Sequence, residues 1–154
     1  MKITVGADPF ALELKNAVIA HLAGKGIEVV DADAGESIPY YESAQRACRL
    51  IQSGAADKGI LLCGTGMGMA IVANKFAGIT AACVESVFAA KMCKAVNHAN
   101  VLTLGAMILG KAMALQMVDV WLATAFTEGL EAHAAFLREA VRQVAQIDAA
   151  ARVK

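Results

Sequence analysis

What this sequence lacks narrows it first. There is no excess of charge of either sign: 14 basic and 14 acidic residues leave a formal net charge of zero, so the basic footprint of a nucleic-acid binder is missing. No apolar run approaches the roughly 18 residues that a membrane span requires. The first turns carry Asp8, Glu13 and Lys15, which is not the pattern of a signal peptide. The four cysteines form no C-x-x-C pair and no framework of a small secreted scaffold, which predicts reduced thiols and a cytoplasmic protein. No cluster of side chains has metal-ligand spacing, so no metal site is expected. Internal repeats, linkers and low-complexity segments are also absent, and 154 residues fit a single domain, 1–154. What is left is apolar: 58% of residues are hydrophobic against 18% charged, which predicts surface hidden in an oligomer.

The apolar residues alternate between two kinds of segment. Short apolar runs at 2–6, 27–30, 59–62, 79–83 and 101–104 read as strands. Between them, helical patterns occupy roughly 9–24, 41–53, 67–76, 87–96 and 111–126. Asp8 is placed as an N-cap with Pro9 at the first helical position. Leu14, Val18 and Leu22 repeat every four residues as a buried stripe. This alternation predicts an α/β chain, a three-layer Rossmann-like domain with a five-stranded parallel sheet and helices on both faces. Loops leaving the strands open on one edge of such a sheet, and the expectation is that Asp8, Cys63–Gly68 and the Asn97–Asn100 turn meet there. A last helix, about 131–149, shows Ala134, Leu137, Val141 and Val144 in a seam, which predicts packing on a partner chain.

The chemistry concentrates where the buried run Ile60–Leu62 ends in Cys63-Gly64-Thr65-Gly66-Met67-Gly68. The glycines permit close approach to the main chain, and N–H groups converging where a helix begins make an anion cradle. A cysteine at its lip sits in a field that favours the thiolate. A thiolate base beside an oxyanion cradle can remove a proton next to a carbonyl. The same turn can also simply hold a nucleotide phosphate or make a tight bend, with an inert packed cysteine.

The segment Cys63–Gly68, with Ala73-Asn74-Lys75 after it, resembles the ribose-5-phosphate isomerase type B and galactose-6-phosphate isomerase family. Gly6-Ala7-Asp8, Leu14-Lys15, Asn97, Asn100-Val101 and Gly105 extend the match in register. The resemblance implies a cofactor-free aldose–ketose isomerase that acts on a small sugar or sugar phosphate through an enediolate. Cys63 would be its base, and the amides of Gly64, Gly66, Met67 and Gly68 would hold the oxyanion. Thr65 would relay a proton or cap the next helix. Asp8 would bind sugar hydroxyls, assist ring opening or serve as an N-cap, and Asn97 and Asn100 would bind hydroxyls or shape a turn. A homo-oligomer, dimer or tetramer, is implied, or a mixed complex in which this is the cysteine-bearing chain. A binding module that retains only the glycine loop is the alternative from another class.

Several positions depart from the family pattern. Pro9 stands for a histidine, Val96 for the ring-opening histidine, Met107 for a phosphate-binding arginine and Ile38 for a tyrosine. The Gly-Gly-Arg-His segment has become Glu128-Gly129-Leu130-Glu131-Ala132-His133. His98 and Arg138 are the nearest substitutes for ring opening and anion binding, with Lys75 or a neighbouring subunit as further sources of donors. The proton-transfer centre is retained while the phosphate clamp is largely gone.

Overall fold

The computed structural model describes residues 1–152; Val153 and Lys154, inside the single domain expected for 1–154, lie outside the described residues. Five parallel strands, β1 (Lys2–Ala7), β2 (Glu28–Asp31), β3 (Lys58–Cys63), β4 (Ala81–Cys83) and β5 (Val101–Gly105), form one sheet in the order β2-β1-β3-β5-β4. The three central strands are buried almost end to end, as strands covered on both faces must be. Helices α1 (Leu12–Gly24), α4 (Val87–Ala95) and α5 (Lys111–Ala123) cover one face, around Val18, Leu22, Met117 and Trp121. Helices α2 (Tyr40–Gln52) and α3 (Met67–Ala73) cover the other, around Ala44, Cys48, Leu61 and Met69. The three-layer Rossmann-like architecture is thus as the alternation predicts.

Successive strands are added to one side of β1 and then to the other, so the chain reverses its direction of growth between β1 and β3. Open α/β sheets bind ligands in the crevice at such a reversal, outside the carboxyl ends of the strands. Asp8 follows β1 and Cys63 ends β3, so both lie at that crevice.

The last helix, α6 (Ala134–Arg152), follows a short 3-10 turn at Glu131–His133 and buries only Leu137 within the chain. Phe136, Val144 and Ile147 on it are exposed. None of the helices among the described residues is long and apolar enough to cross a membrane.

Candidate active site

The loop after β3 is stapled to the loop after β5. The Ala106 N–H donates to the Cys63 carbonyl at 2.9 Å and the Met107 N–H to the Gly64 carbonyl at 2.9 Å. The two loops touch through main chain. Gly66 has φ +78°, and a Cβ there would lie 2.8 Å from the carbonyl carbon of Leu104. Opposite it, a Cβ on Gly105 would lie 2.7 Å from the Thr65 carbonyl. Only glycine fits either side of this contact. It turns the Gly66 N–H onto Cys63, donating to Sγ at 3.1 Å. The thiol is 5% exposed and fronts an open cleft of about 420 Å³.

Asp8 forms the other lip. Its N–H donates to the Leu62 carbonyl at 3.2 Å, and its Oδ1 accepts the Phe10 N–H at 3.0 Å. The residue caps the short 3-10 turn Pro9–Ala11, as the sequence suggests, and lines the cleft as well. Burial pushes its carboxyl up despite the N–H donors of Phe10 and Ala11. The remaining lining is Phe10, Tyr40, Gly64, Thr65, Gly68 and Met107, with no lysine, arginine or histidine. A second cavity of about 360 Å³ shares Asp8, Phe10 and Tyr40 and holds no cation either.

The structure brings together Asp8, Cys63, Gly64, Thr65 and Gly68, with Gly66 beneath them. Thr65 is exposed and does not cap α3, because Gly66 occupies the N-cap position without any side-chain bond. Its hydroxyl is therefore not committed to capping. Met67 is half exposed and does not line the cleft, and Met113 is also partly exposed.

The expectation that the Asn97–Asn100 turn meets this cleft is corrected. That turn enters β5 rather than leaving it, so it lies at the opposite edge of the sheet. Val101 pairs with Gly59 at the start of β3 while Gly105 pairs with Cys63 at its end, a separation of roughly 13 Å along the strands. Asn100 is occupied structurally, with Oδ1 accepting the Thr80 N–H at 2.8 Å and Nδ2 donating to the Gly78 carbonyl at 2.9 Å. His98 stacks on Phe126 at 4.7 Å between ring centroids, and burial, then Lys94 and Lys58, lower its tendency to protonate. Asn97 lines a groove of about 290 Å³ beside α6, and Arg138 is exposed on that helix. Neither reaches the cleft of its own chain.

Cys48 and Cys93 are buried thiols, with burial pushing each up to about 11. Cys83 lies at the surface instead. It ends the three-residue edge strand β4, is exposed, and its Sγ donates to the Thr65 carbonyl at 3.7 Å.

Sequence reasoning missed three contributors. Phe10 stands 76% exposed at the mouth, and Tyr40 presses on Gly68, where a Cβ would meet its ring at 2.8 Å. The third is a buried network. Lys15 Nζ donates to Asp33 Oδ2 at 2.7 Å and to Asp31 Oδ1 at 2.5 Å, and the same Asp33 oxygen accepts the Ala7 N–H at 2.8 Å. This fixes the end of β1 immediately before Asp8. Two aspartates two positions apart at a strand end, Asp31 and Asp33, were the available signal.

Comparison with known proteins gives one family. The model described as Ribose/Galactose Isomerase matches residues 3–138. A 4-deoxy-4-sulfo-D-erythrose isomerase of Clostridium sp. (strain MSTE9) is 46% identical over 96% of both chains. A D-erythrulose-4-phosphate isomerase of Pectobacterium atrosepticum is 39% identical over 84% of this chain and 87% of its own. The solved Ribose-5-Phosphate Isomerase B of Clostridium thermocellum superposes with a TM-score of 0.88 at 35% identity, covering 96% of this chain and 97% of that one.

Proposed function

The chain belongs to the ribose/galactose isomerase family and is an isomerase, and we propose that its substrate is a four-carbon sugar with a terminal sulfonate. The carrying observation is the lining of the cleft, which offers a thiol, main-chain donors and a carboxyl but no cation and no histidine. Phosphate dianions call for arginine or lysine donors. A sulfonate carries one charge and asks less of its site. The similarity to a 4-deoxy-4-sulfo-D-erythrose isomerase over nearly all of both chains supports this reading.

The missing ring-opening group supports it further. An aldotetrose whose C4 carries a sulfonate has no O4 with which to close a five-membered ring, and closure through O3 would make a strained four-membered one. Such a sugar reaches the enzyme open, so Val96 in place of a histidine costs nothing.

In the proposed reaction the Cys63 thiolate takes the proton from C2. The C2–H electron pair forms the C1–C2 double bond, and the aldehyde oxygen becomes the enediolate oxyanion. Main-chain N–H groups of the glycine loop stabilise that charge. The exposed Thr65 hydroxyl, which both donates and accepts, carries the O2 proton to O1. Return of the proton from Sγ to C1 gives the ketose. Asp8 holds a substrate hydroxyl.

The exposed apolar residues of α6 support a homo-oligomer, with a second copy covering Phe136 and Val144. The test of the reaction is a panel of tetroses and pentoses bearing sulfonate, phosphate or neither, assayed with the purified chain in deuterated water. Isomerisation with C2 exchange is expected for the sulfotetrose in the parent and is absent in Cys63→Ala. Exchange at the parent rate in that variant refutes Cys63 as base, and preference for ribose 5-phosphate refutes the substrate.

A further inference from the structure

The cleft in front of Cys63 supplies nothing to neutralise a terminal anion, yet the molecule holds a cation next door. Phe10 lines both the cleft and a side pocket of about 170 Å³, whose other lining is Glu13, Leu14, Ala106, Leu109 and Lys111. Ala106 and Met107 run from β5 along the boundary between the two spaces, so the side pocket opens at the same edge of the sheet as Cys63. Lys111 is exposed and enters none of the ion pairs among the described residues. It opens α5, whose N-cap Gly110 makes no side-chain cap bond, so main-chain N–H groups point the same way as its charge.

We propose that Lys111 is the residue that selects the terminal anion of the substrate: C1 and C2 lie at Cys63, and the sulfonate passes Phe10 to the Lys111 ammonium. This rests on the isomerase reading above and deepens it. Glu13 lines the same pocket without pairing with Lys111. One cation and one carboxylate leave the pocket nearly neutral, so it gains little from the second charge of a dianion and does not offset that charge's larger desolvation cost. The pair therefore favours a monoanionic sulfonate over a phosphate. A cation alone would favour the reverse.

The test uses three single variants with the sulfotetrose, the corresponding tetrose 4-phosphate and an uncharged 4-deoxytetrose. Lys111→Met raises KM for the sulfotetrose by about tenfold or more, the scale of a lost charge-assisted hydrogen bond. Its kcat and its handling of the uncharged sugar stay at the parent level, and Lys111→Arg restores KM. Glu13→Gln lowers KM for the phosphate more than for the sulfonate. A purely structural role for Lys111 would move all three sugars together, which overturns the inference. An unchanged sulfotetrose KM in Lys111→Met also overturns it while the isomerase reading stands. Failure of the parent to turn over any tetrose overturns both.

Discussion

The contact between Gly66 and Gly105 sets up a sharp test, because the structure separates two costs that a glycine substitution usually mixes. Gly66→Ala places a side chain at φ +78° and drives its Cβ to 2.8 Å from Leu104 C and 3.1 Å from Gly105 N, all backbone atoms of a buried strand. Gly26→Ala meets a similar φ of +71°, but its Cβ faces open space. The left-handed conformation costs either alanine about 1–2 kcal/mol. Overpacking adds about 1–3 kcal/mol at Gly66 alone. For a chain of this length each kcal/mol moves Tm by roughly 2–4 °C. Thermal unfolding followed by circular dichroism should therefore place Gly66→Ala some 2–12 °C below Gly26→Ala, by the same conversion. Gly105→Ala, which presses on Thr65 from the other side, should resemble Gly66→Ala. The double variant should lose less than the two singles together, since either one already forces the loops apart. Equal Tm values for Gly66→Ala and Gly26→Ala would refute the claim that the loops meet through main chain, and with it the account of how Gly66 N–H reaches Cys63.

The buried network behind Asp8 predicts a large loss on breaking one member. Lys15→Met leaves the fully buried Asp33 carboxylate without its ammonium and should cost about 3–5 kcal/mol in denaturant unfolding; a loss under about 1 kcal/mol would mean the pair contributes little. Asp31 carries a pH signature. Burial pushes its carboxyl up, but the Lys15 ammonium and the Asp33 and Gly35 N–H donors outweigh that and hold it below its ordinary value of 3.8. A lowered folded value stabilises above the ordinary value and is lost as pH falls through the folded one. The stability gap between the parent and Asp31→Asn should thus be full at neutral pH and close on acidification below 3.8; a gap that widens on acidification would reverse the sign. Phe136→Asp should reduce the sedimenting mass of the chain while its Tm stays near the parent's, and an unchanged mass would remove α6 as the contact.

Most of the fold was legible because its strands are buried on both faces and its helices are not. Ile60–Leu62 announces itself as an uninterrupted apolar run, and Val101–Leu104 as one broken only by Thr103. The motif at Cys63–Gly68 was legible as a place where chemistry could sit, although the same glycine pattern also serves phosphate cradles and tight bends. What failed was assigning loops to edges. The turn at Asn97–Asn100 follows α4 and precedes β5, so chain direction alone puts it opposite Cys63. The exposure of Cys83 was hidden for a different reason: its strand β4 lies at the sheet edge, beyond β5, and strand order is not written in local pattern. In the sequence Lys15 was only a charge of the first turns and part of the Leu14-Lys15 match. Only the fold, by folding Asp31 and Asp33 over it, makes it a buried ion.

The departures at Pro9, Val96 and Met107 invite a reading as decay, and the structure argues against it. A site released from selection loses its most demanding parts as readily as its least. Here the most demanding part is kept: two glycines in main-chain contact, where any Cβ on either would come within 2.9 Å of its neighbour, with an N–H aimed at the cysteine sulfur. Val96 and Met107 stand where the family resemblance places groups that serve a ring or a dianion. Met107 does not leave a hole, because its Sδ packs over Gly64, 2.9 Å from where a Cβ would stand. A short, open, singly charged substrate removes the need for a ring opener, lowers the demand for arginine and leaves room to be filled. The proposed substrate would account for these positions together, whereas decay would need separate accidents that happened to spare the proton-transfer end.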